Sequence, residues 1–278
     1  MRSPVQIRVE IEGARIGEMD IIVCLKQTVD MKQVRIKKET RKPVLDGLPL
    51  LFGDLDRNAL EEAVRIKEKE GGRVIVLSMG SPKLRDTVKD ALAVGADEAF
   101  ILIDSLFSNV DSKTTARILA KAIQKIGKYD LILLGEGSTD NYSGQTGPRL
   151  AELLDLPAIT YVRQLEHVDS RARAVRNMEE SFEVVEAQLP ALITVTSGIN
   201  EPRIPTLTQI LRGSKKPVKE WKSTDIGITV DELGEKETEV VSNLGPLQQR
   251  KKIIFEGTPD ENIDNLVNCL LKEGVLGG

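Results

Sequence analysis

A doubly wound, mostly parallel α/β sheet is the fold class this sequence predicts. Three observations carry that expectation. Short apolar runs alternate with amphipathic stretches along the first half of the chain. The runs are apolar throughout, as strands covered on both faces are. Loops of small and polar residues follow several of them, at the strand ends where such sheets bind ligands.

The elements follow in order. Residues 20–25 (DIIVCL) are a compact apolar run and a buried strand. Alternation around Val34 and Ile36 predicts a small hairpin. In 58–70, Leu60, Ala63, Val64 and Ile66 fall at helical spacing, and Gly71-Gly72 stops the helix. Residues 73–78 (RVIVLS) form the next strand, 84–94 a helix ending at Gly95, and 99–103 (AFILI) a strand. A helix over 112–126 has Thr115, Leu119, Ala122 and Ile123 along one side. Residues 130–134 are a strand and 147–154 a helix.

After Pro157 the pattern changes. Segments 160–165, 173–178, 182–188 and 192–196 have β character, which suggests antiparallel strands extending or crossing the sheet. Residues 215–250 lack periodicity and read as an extended arm. Residues 259–274 (PDENIDNLVNCLLKEG) form a terminal helix, with Pro259 and acids in its first turn. Its apolar stripe is Ile263, Leu266, Val267, Leu270 and Leu271. Packing on its own domain and packing on a partner subunit both satisfy that stripe. Residues 1–18 are either a short extra strand or the product of a mis-set start codon, because Met19 opens the first strand.

Composition narrows the function. Of 278 residues, 40% are hydrophobic but only 3% aromatic, so the core is aliphatic. The net charge of −4, from 39 basic and 43 acidic residues, argues against nucleic-acid binding as the main role. The basic runs at 35–38 and 215–219 read as solvated surface. Cys24 and Cys269 lie far apart without metal spacing, so reduced thiols and a cytoplasmic location are expected. No stretch reaches the length of a membrane span, and the N-terminus lacks the apolar core of a signal peptide. The single histidine, His167, sits in a polar, turn-like context and reads as a surface residue, so hydrolytic triads are not expected. Walker A, GxGxxG and HExxH patterns are missing. A cofactor carrier or binding subunit fits this inventory, because the cofactor then supplies the chemistry.

The densest chemical signal is the loop after the strand at 130–134. It carries Gly135, Gly137, Ser138, Thr139, Asp140, Ser143, Gly144, Gln145, Thr146 and Gly147 before a helix. Glycines admit a ligand close to the backbone, and free N–H groups at a helix start attract phosphate. A phosphorylated ligand, a nucleotide above all, is expected here. Each residue also has a plain role. Asp140 is either a turn or cap residue or a ligand contact, and Gln145 and Thr146 either begin a helix or donate to phosphate. Cys24 is either a small buried hydrophobe or a backbone contact to a base. Lys26 is either solvated or a phosphate or partner contact.

Several segments together resemble the beta subunit of electron transfer flavoproteins: VCLKQTVD at 23–30, ALEEAVRIKE at 59–68, ALAVGADEAFIL at 91–102, STDNYSGQTGPRLAELLDLP at 138–157, and RNMEESFEVVEAQLPALITVTSGINEPRIPTL at 176–207. The last is the most specific. The resemblance implies an adenine nucleotide alpha hydrolase-like fold with a C-terminal arm and helix. It divides the chain into an extension at 1–18, a nucleotide-binding domain at 19–214, and an arm and helix at 215–278 that pack on the partner subunit. It implies a heterodimer with a homologous alpha subunit, one FAD at the interface, and AMP or a second FAD in this chain. Carried over by position, Cys24, Leu25 and Lys26 lie by the adenine, while Asp140, Ser143, Gly144, Gln145 and Thr146 hold ribose and phosphates. Met79 lies in a strand-end turn facing the nucleotide, and Asp56 matches an acidic position. Gly53 departs from the family's Asn-Pro pair, which removes one expected contact.

The segment 198–207 resembles the loop that docks electron-transfer partners. It includes Ile199, Asn200, Glu201, Pro202, Arg203 and Ile204, and its alternative is a plain structural loop. Glu179 or Glu180 either faces an alpha-subunit arginine or is plain surface. The tail at 251–276 and the small Ser143 and Gly144 point to the bifurcating branch, which oxidises NADH and divides its electrons between ferredoxin or flavodoxin and a second acceptor. A simple carrier between a dehydrogenase and a quinone-linked acceptor, with structural AMP, is the alternative. Either could associate peripherally with a membrane oxidoreductase. A colourless nucleotide-sensing homodimer of universal-stress type is the reading from another class.

Overall fold

The computed structural model describes residues 18–233, 238, 240–246 and 251–276. The extension at 1–17 lies outside them. The described part of the chain is built from two units: one comprises 18–35 and 44–242, the other 36–43 and 243–276.

The larger unit is an α/β sheet. The elements in chain order are β1 (Met19–Val29), β2 (Arg35–Ile36) and β3 (Pro43–Val44), which pair with each other as a separate two-stranded sheet, then β4 (Leu50–Phe52), α1 (Asp54–Glu70), β5 (Gly72–Met79), α2 (Leu84–Val94) and β6 (Glu98–Leu102). There follow α3 (Ser112–Ile126), β7 (Leu131–Gly135), α4 (Thr146–Leu153), β8 (Ala158–Val168), β9 (Arg171–Asn177), β10 (Phe182–Gln188), β11 (Ala191–Val195), α5 (Leu207–Gly213), β12 (Val218–Trp221) and α6 (Val230–Leu233). The strand order is β10-β9-β8-β11-β7-β1-β5-β6-β12. From β8 to β12 every neighbouring pair is parallel, and β9 and β10 add antiparallel strands at one edge.

Burial on both faces explains the uninterrupted apolar runs. Along β1, Ile21, Val23 and Leu25 enter one core with residues of α1 and α2, while Ile22 and Cys24 enter the other with residues of α3 and α4. Successive strand side chains alternate faces, so each residue of the run is needed. The chain goes outward from β1 to β5 and β6, then returns to β7 on the other side of β1. The crevice between the carboxyl ends of β1 and β7 is therefore the topological switch point, where doubly wound sheets bind ligands.

Four elements differ from the sequence reading. β11, read among the antiparallel strands after Pro157, lies parallel between β8 and β7. β1 continues to Val29 because its end pairs antiparallel with β4, matching Gln27 to Phe52. His167 is a strand residue on β8, and its Nδ1 lies 2.6 Å from Oε2 of the buried Glu70. The sheet also continues past residue 214, within the stretch read as an arm. β12 runs parallel to β6, Trp221 packs on Phe100 at 4.5 Å between ring centroids, and Ile226 and Ile228 are buried. Two apolar residues around two charges, VKEW, leave no periodic signal there.

In the smaller unit α7 (Pro259–Lys272) begins with a capping box between Thr258 and Glu261 and has no buried residue. Ile263, Leu266, Val267 and Leu271 are exposed. The Arg41 guanidinium donates to the Gly245 carbonyl at 2.6 and 3.0 Å, and Lys251 pairs with Glu273.

Candidate functional site

A cavity of about 590 Å³ opens over the carboxyl ends of the central strands. β1 supplies Cys24, Leu25 and Lys26 to its wall, the end of β5 supplies Met79, and the first turn of α1 supplies Asp56. The loop after β7 contributes Ser143, Gly144, Gln145 and Thr146. These residues, up to 122 positions apart in sequence, meet because the ends of β1, β5 and β7 are neighbours in the sheet.

The glycines of the loop have specific work. A Cβ on Gly135 would lie 2.8 Å from Leu55 Cβ, so only glycine lets the end of β7 sit against the start of α1. Gly144 has φ +66°, a turn that brings the chain round into α4. Gln145 provides no side-chain cap, so the N–H groups of Thr146 and Gly147 are open at the helix start. Gln145 Oε1 instead accepts from Ser112 Oγ at 3.2 Å.

Asp140 is the expected residue that does not line the cavity. Its two carboxylate oxygens accept from Lys26 Nζ at 2.7 and 2.8 Å. Burial raises its carboxyl, but the Lys26 hydrogen bonds outweigh that and hold it below the ordinary carboxylate range. Ser138 Oγ accepts from the same ammonium at 3.3 Å. Asp140 thus orients Lys26, which does line the cavity.

Asp56 is the exceptional group. It is 5% exposed, and its Oδ2 has no hydrogen-bond partner among the described residues. Burial pushes its carboxyl up to about 7, against the pull of the Lys26 and Gly53 backbone N–H groups and the Lys26 charge. Cys24 is no nucleophile: burial, helped by Asp56, pushes its thiol up to about 12.

One wall was not anticipated. Phe107, Asn109 and Val110 after β6, with Ser112, Thr115 and Leu119 of α3, close the cavity on a further side. The strand-end rule points there as well, since β6 is the neighbour of β5 and its carboxyl end faces the same way.

The segment 198–207 lies apart, clamped to α1. Arg203 donates to Glu61 Oε2 at 2.8 Å through Nε and to Glu68 Oε1 at 2.5 Å. Asn58 Nδ2 donates to the Asn200 carbonyl at 2.8 Å, and Asn200 Nδ2 donates to Glu62 at 2.9 Å. Arg65 donates to the Glu201 carbonyl. Ile199 packs partly against the core, and Pro202 is half-buried. Ile204 is 92% exposed, and Leu207 on α5 is 72% exposed. A polar clamp thus holds out an apolar tip. Glu179 and Glu180 are exposed between β9 and β10. Among the described residues no His/Cys/Asp/Glu cluster suits a metal ion, and no helix is long and apolar enough to cross a membrane.

Comparison with known proteins adds the family context. The electron transfer flavoprotein domain matches residues 48–226. The electron transfer flavoprotein subunit beta of Thermoanaerobacterium thermosaccharolyticum is 39% identical over 261 residues, covering 93% of this chain and 100% of that protein. The caffeyl-CoA reductase–Etf complex subunit CarD of Acetobacterium woodii is 34% identical, with coverage of 92% and 98%. Protein FixA of Sinorhizobium fredii is 32% identical, with coverage of 91% and 92%.

Proposed function

This chain belongs to the electron transfer flavoprotein family, among its beta subunits, and we propose that it pairs with an alpha subunit and holds an adenine nucleotide in the cavity between β1 and β7. The observation that carries this reading is the cavity's chemistry at the topological switch point. One end offers open N–H groups at the start of α4 and the Gly144 turn, which suit phosphate. The other offers a buried acceptor without a partner among the described residues, which suits a nucleoside and not a bare anion. Between them lie Leu25, Met79, Phe107, Val110 and Leu134, an apolar wall for a base.

In this reading Cys24, Leu25, Lys26 and Met79 face the base, and Ser143, Gly144, Gln145 and Thr146 hold the phosphates. Asp56 contacts the nucleoside, and Asp140 keeps Lys26 in place. A bound flavin supplies one- and two-electron chemistry, and the residues here bind it, orient it and keep water from it. We take the occupant to be a second FAD, alongside the FAD at the subunit interface. The complex then moves electrons between NADH or a dehydrogenase and ferredoxin, flavodoxin or quinone-linked acceptors by flavin-based bifurcation. The small Ser143 and Gly144 favour a diphosphate, and about 590 Å³ falls within the usual ~300–1,000 Å³ of cofactor sites. AMP is the second reading, favoured by the same contacts because AMP is one half of FAD. The exposed stripe of α7 is the surface offered to the alpha subunit, and the clamped tip at Ile204 and Leu207 is the surface offered to a dehydrogenase or quinone oxidoreductase.

Co-expression with an electron transfer flavoprotein alpha subunit tests this. A yellow heterodimer whose flavin absorbance bleaches with NADH under anaerobic conditions, with two FAD per complex, is the expected result. A yellow heterodimer with one FAD and one AMP that NADH does not reduce makes it a simple carrier. A colourless homodimer that binds ATP or AMP defeats the flavoprotein reading.

A further inference from the structure

We propose that Asp104 is a positioning residue for the nucleotide: by joining the Phe107–Val110 wall of the cavity to Ser223, on the segment after β12, it fixes the surface against which the ligand packs. This rests on the nucleotide reading above.

The wall is a short loop between the end of β6 and the start of α3. Phe107, Ser108, Asn109 and Val110 all line the cavity. Ser108 and Asn109 are exposed, and Asn109 has φ +55°, a region that side chains rarely enter. Among the described residues the loop's own backbone bonds are short-range: Phe107 N–H donates to the Asp104 carbonyl at 3.1 Å, and Ser108 N–H to the Ser105 carbonyl at 3.2 Å. Such a loop keeps one shape only where its ends are held. Asp111 holds the far end by capping α3, accepting from Thr114 N–H at 2.8 Å.

Asp104 holds the near end with both carboxylate oxygens. Oδ1 accepts from Leu106 N–H at 3.1 Å and from the Ser105 hydroxyl at 3.4 Å. Oδ2 accepts from Ser223 N–H at 3.0 Å and from the Ser223 hydroxyl at 2.7 Å. One oxygen thus shapes the 3₁₀ turn that carries Phe107, and the other ties that turn to a residue 119 positions away. The tie is anchored in the core. Ser223 is buried, and Ile226 and Ile228 beyond it join the same apolar cluster as Phe107 and Leu119. Beside it, Ile103 N–H donates to the Trp221 carbonyl at 3.0 Å. The Leu106 N–H and the Ser223 donors hold the Asp104 carboxyl down to about 2, so the acceptor stays charged through the neutral range, and bonds to a charged acceptor are the strong ones. A wall already in place spares the ligand the cost of ordering it.

The test combines calorimetry of AMP binding to the nucleotide-stripped complex with amide hydrogen exchange of the same samples, for wild type, Asp104→Ala and Ser223→Ala. In Asp104→Ala the amides of 105–110 are expected to exchange about tenfold faster, those of β1, β5 and β7 to keep their wild-type rates, and AMP to bind about tenfold more weakly. Ser223→Ala keeps its N–H to Oδ2, so about a threefold loss of AMP affinity is expected, with faster exchange at 105–110 again. The double variant is expected to bind no more weakly than Asp104→Ala, because both changes remove the same tie. Wild-type AMP affinity in Asp104→Ala overturns the inference, as does unchanged exchange at 105–110. Faster exchange across β1, β5 and β7 as well makes Asp104 a support of the whole sheet and also overturns it. Ser223→Ala matching wild type in both measurements overturns the tie to the segment after β12. If Asp104→Ala does not fold, Ser223→Ala decides. If wild type binds no AMP, the nucleotide reading falls too; if wild type and Asp104→Ala bind it equally, only the inference falls.

Discussion

Two buried carboxylates on the same helix are handled in opposite ways. Asp56 and Glu61 are five residues apart on α1, 5% and 2% exposed. Glu61 is met from two sides: Arg203 reaches it from the segment after β11, and Arg65 Nε donates at 2.7 Å from the next turn. Burial raises Glu61, but those hydrogen bonds outweigh it and hold the carboxyl below its ordinary range. Asp56 faces the cavity, keeps one oxygen without a partner among the described residues and is pushed up to about 7. The difference separates structure from function on one element. Where the protein means to hold itself together it satisfies the charge, and where it means to hold something else it leaves an acceptor open.

Three substitutions sharpen or break that comparison. Arg203→Ala has the largest effect, because it removes a main partner of a buried charge. A loss of about 3 kcal/mol in urea unfolding is expected, since truncating one side of a buried pair strands the other. A loss below about 1 kcal/mol would mean that Arg65 suffices and that the clamp is not structural. Asp56→Asn acts in the reverse direction in the nucleotide-free protein. The folded carboxyl lies above its ordinary value of 3.8, so the stability it contributes is complete below about 3.8 and is lost as pH rises through about 7. The variant is therefore expected to be more stable than wild type by on the order of 2 kcal/mol at pH 8, with the gap closing towards pH 5. A constant gap across that range would contradict the assigned charge state. Lys26→Ala is the smallest. Its pair with Asp140 is half exposed, so less than about 0.5 kcal/mol of stability is at stake, although nucleotide affinity falls.

How much of this was legible in the sequence depended on whether a residue's role was local. The parallel strands were readable because burial on both faces demands apolar residues at consecutive positions, as at 21–25. The loop after β7 was readable because glycine density is a local signal, and its predicted residues line the cavity except Thr139 and Asp140. Asp56 was found only through the family's motif, since one acid in a helix's first turn reads as dipole compensation. The Glu61–Arg203 clamp spans 142 positions and has no periodicity to betray it. Glu61 sits among the charges of 58–70, outside the apolar stripe at Leu60, Ala63, Val64 and Ile66, yet it is buried. β12 escaped for a related reason: its VKEW is a strand because β6 is its neighbour, not because of its own pattern. The wall at Phe107 and Val110 could have been found from the strand-end rule alone.

The most direct measurement is the nucleotide released when the purified complex is denatured, separated by chromatography and counted per chain. One adenine nucleotide per copy of this chain, FAD or AMP, in addition to the interface flavin, is the result this account requires. A complex that carries only the interface flavin, with nothing released from this chain and no AMP taken up on reconstitution, would contradict it.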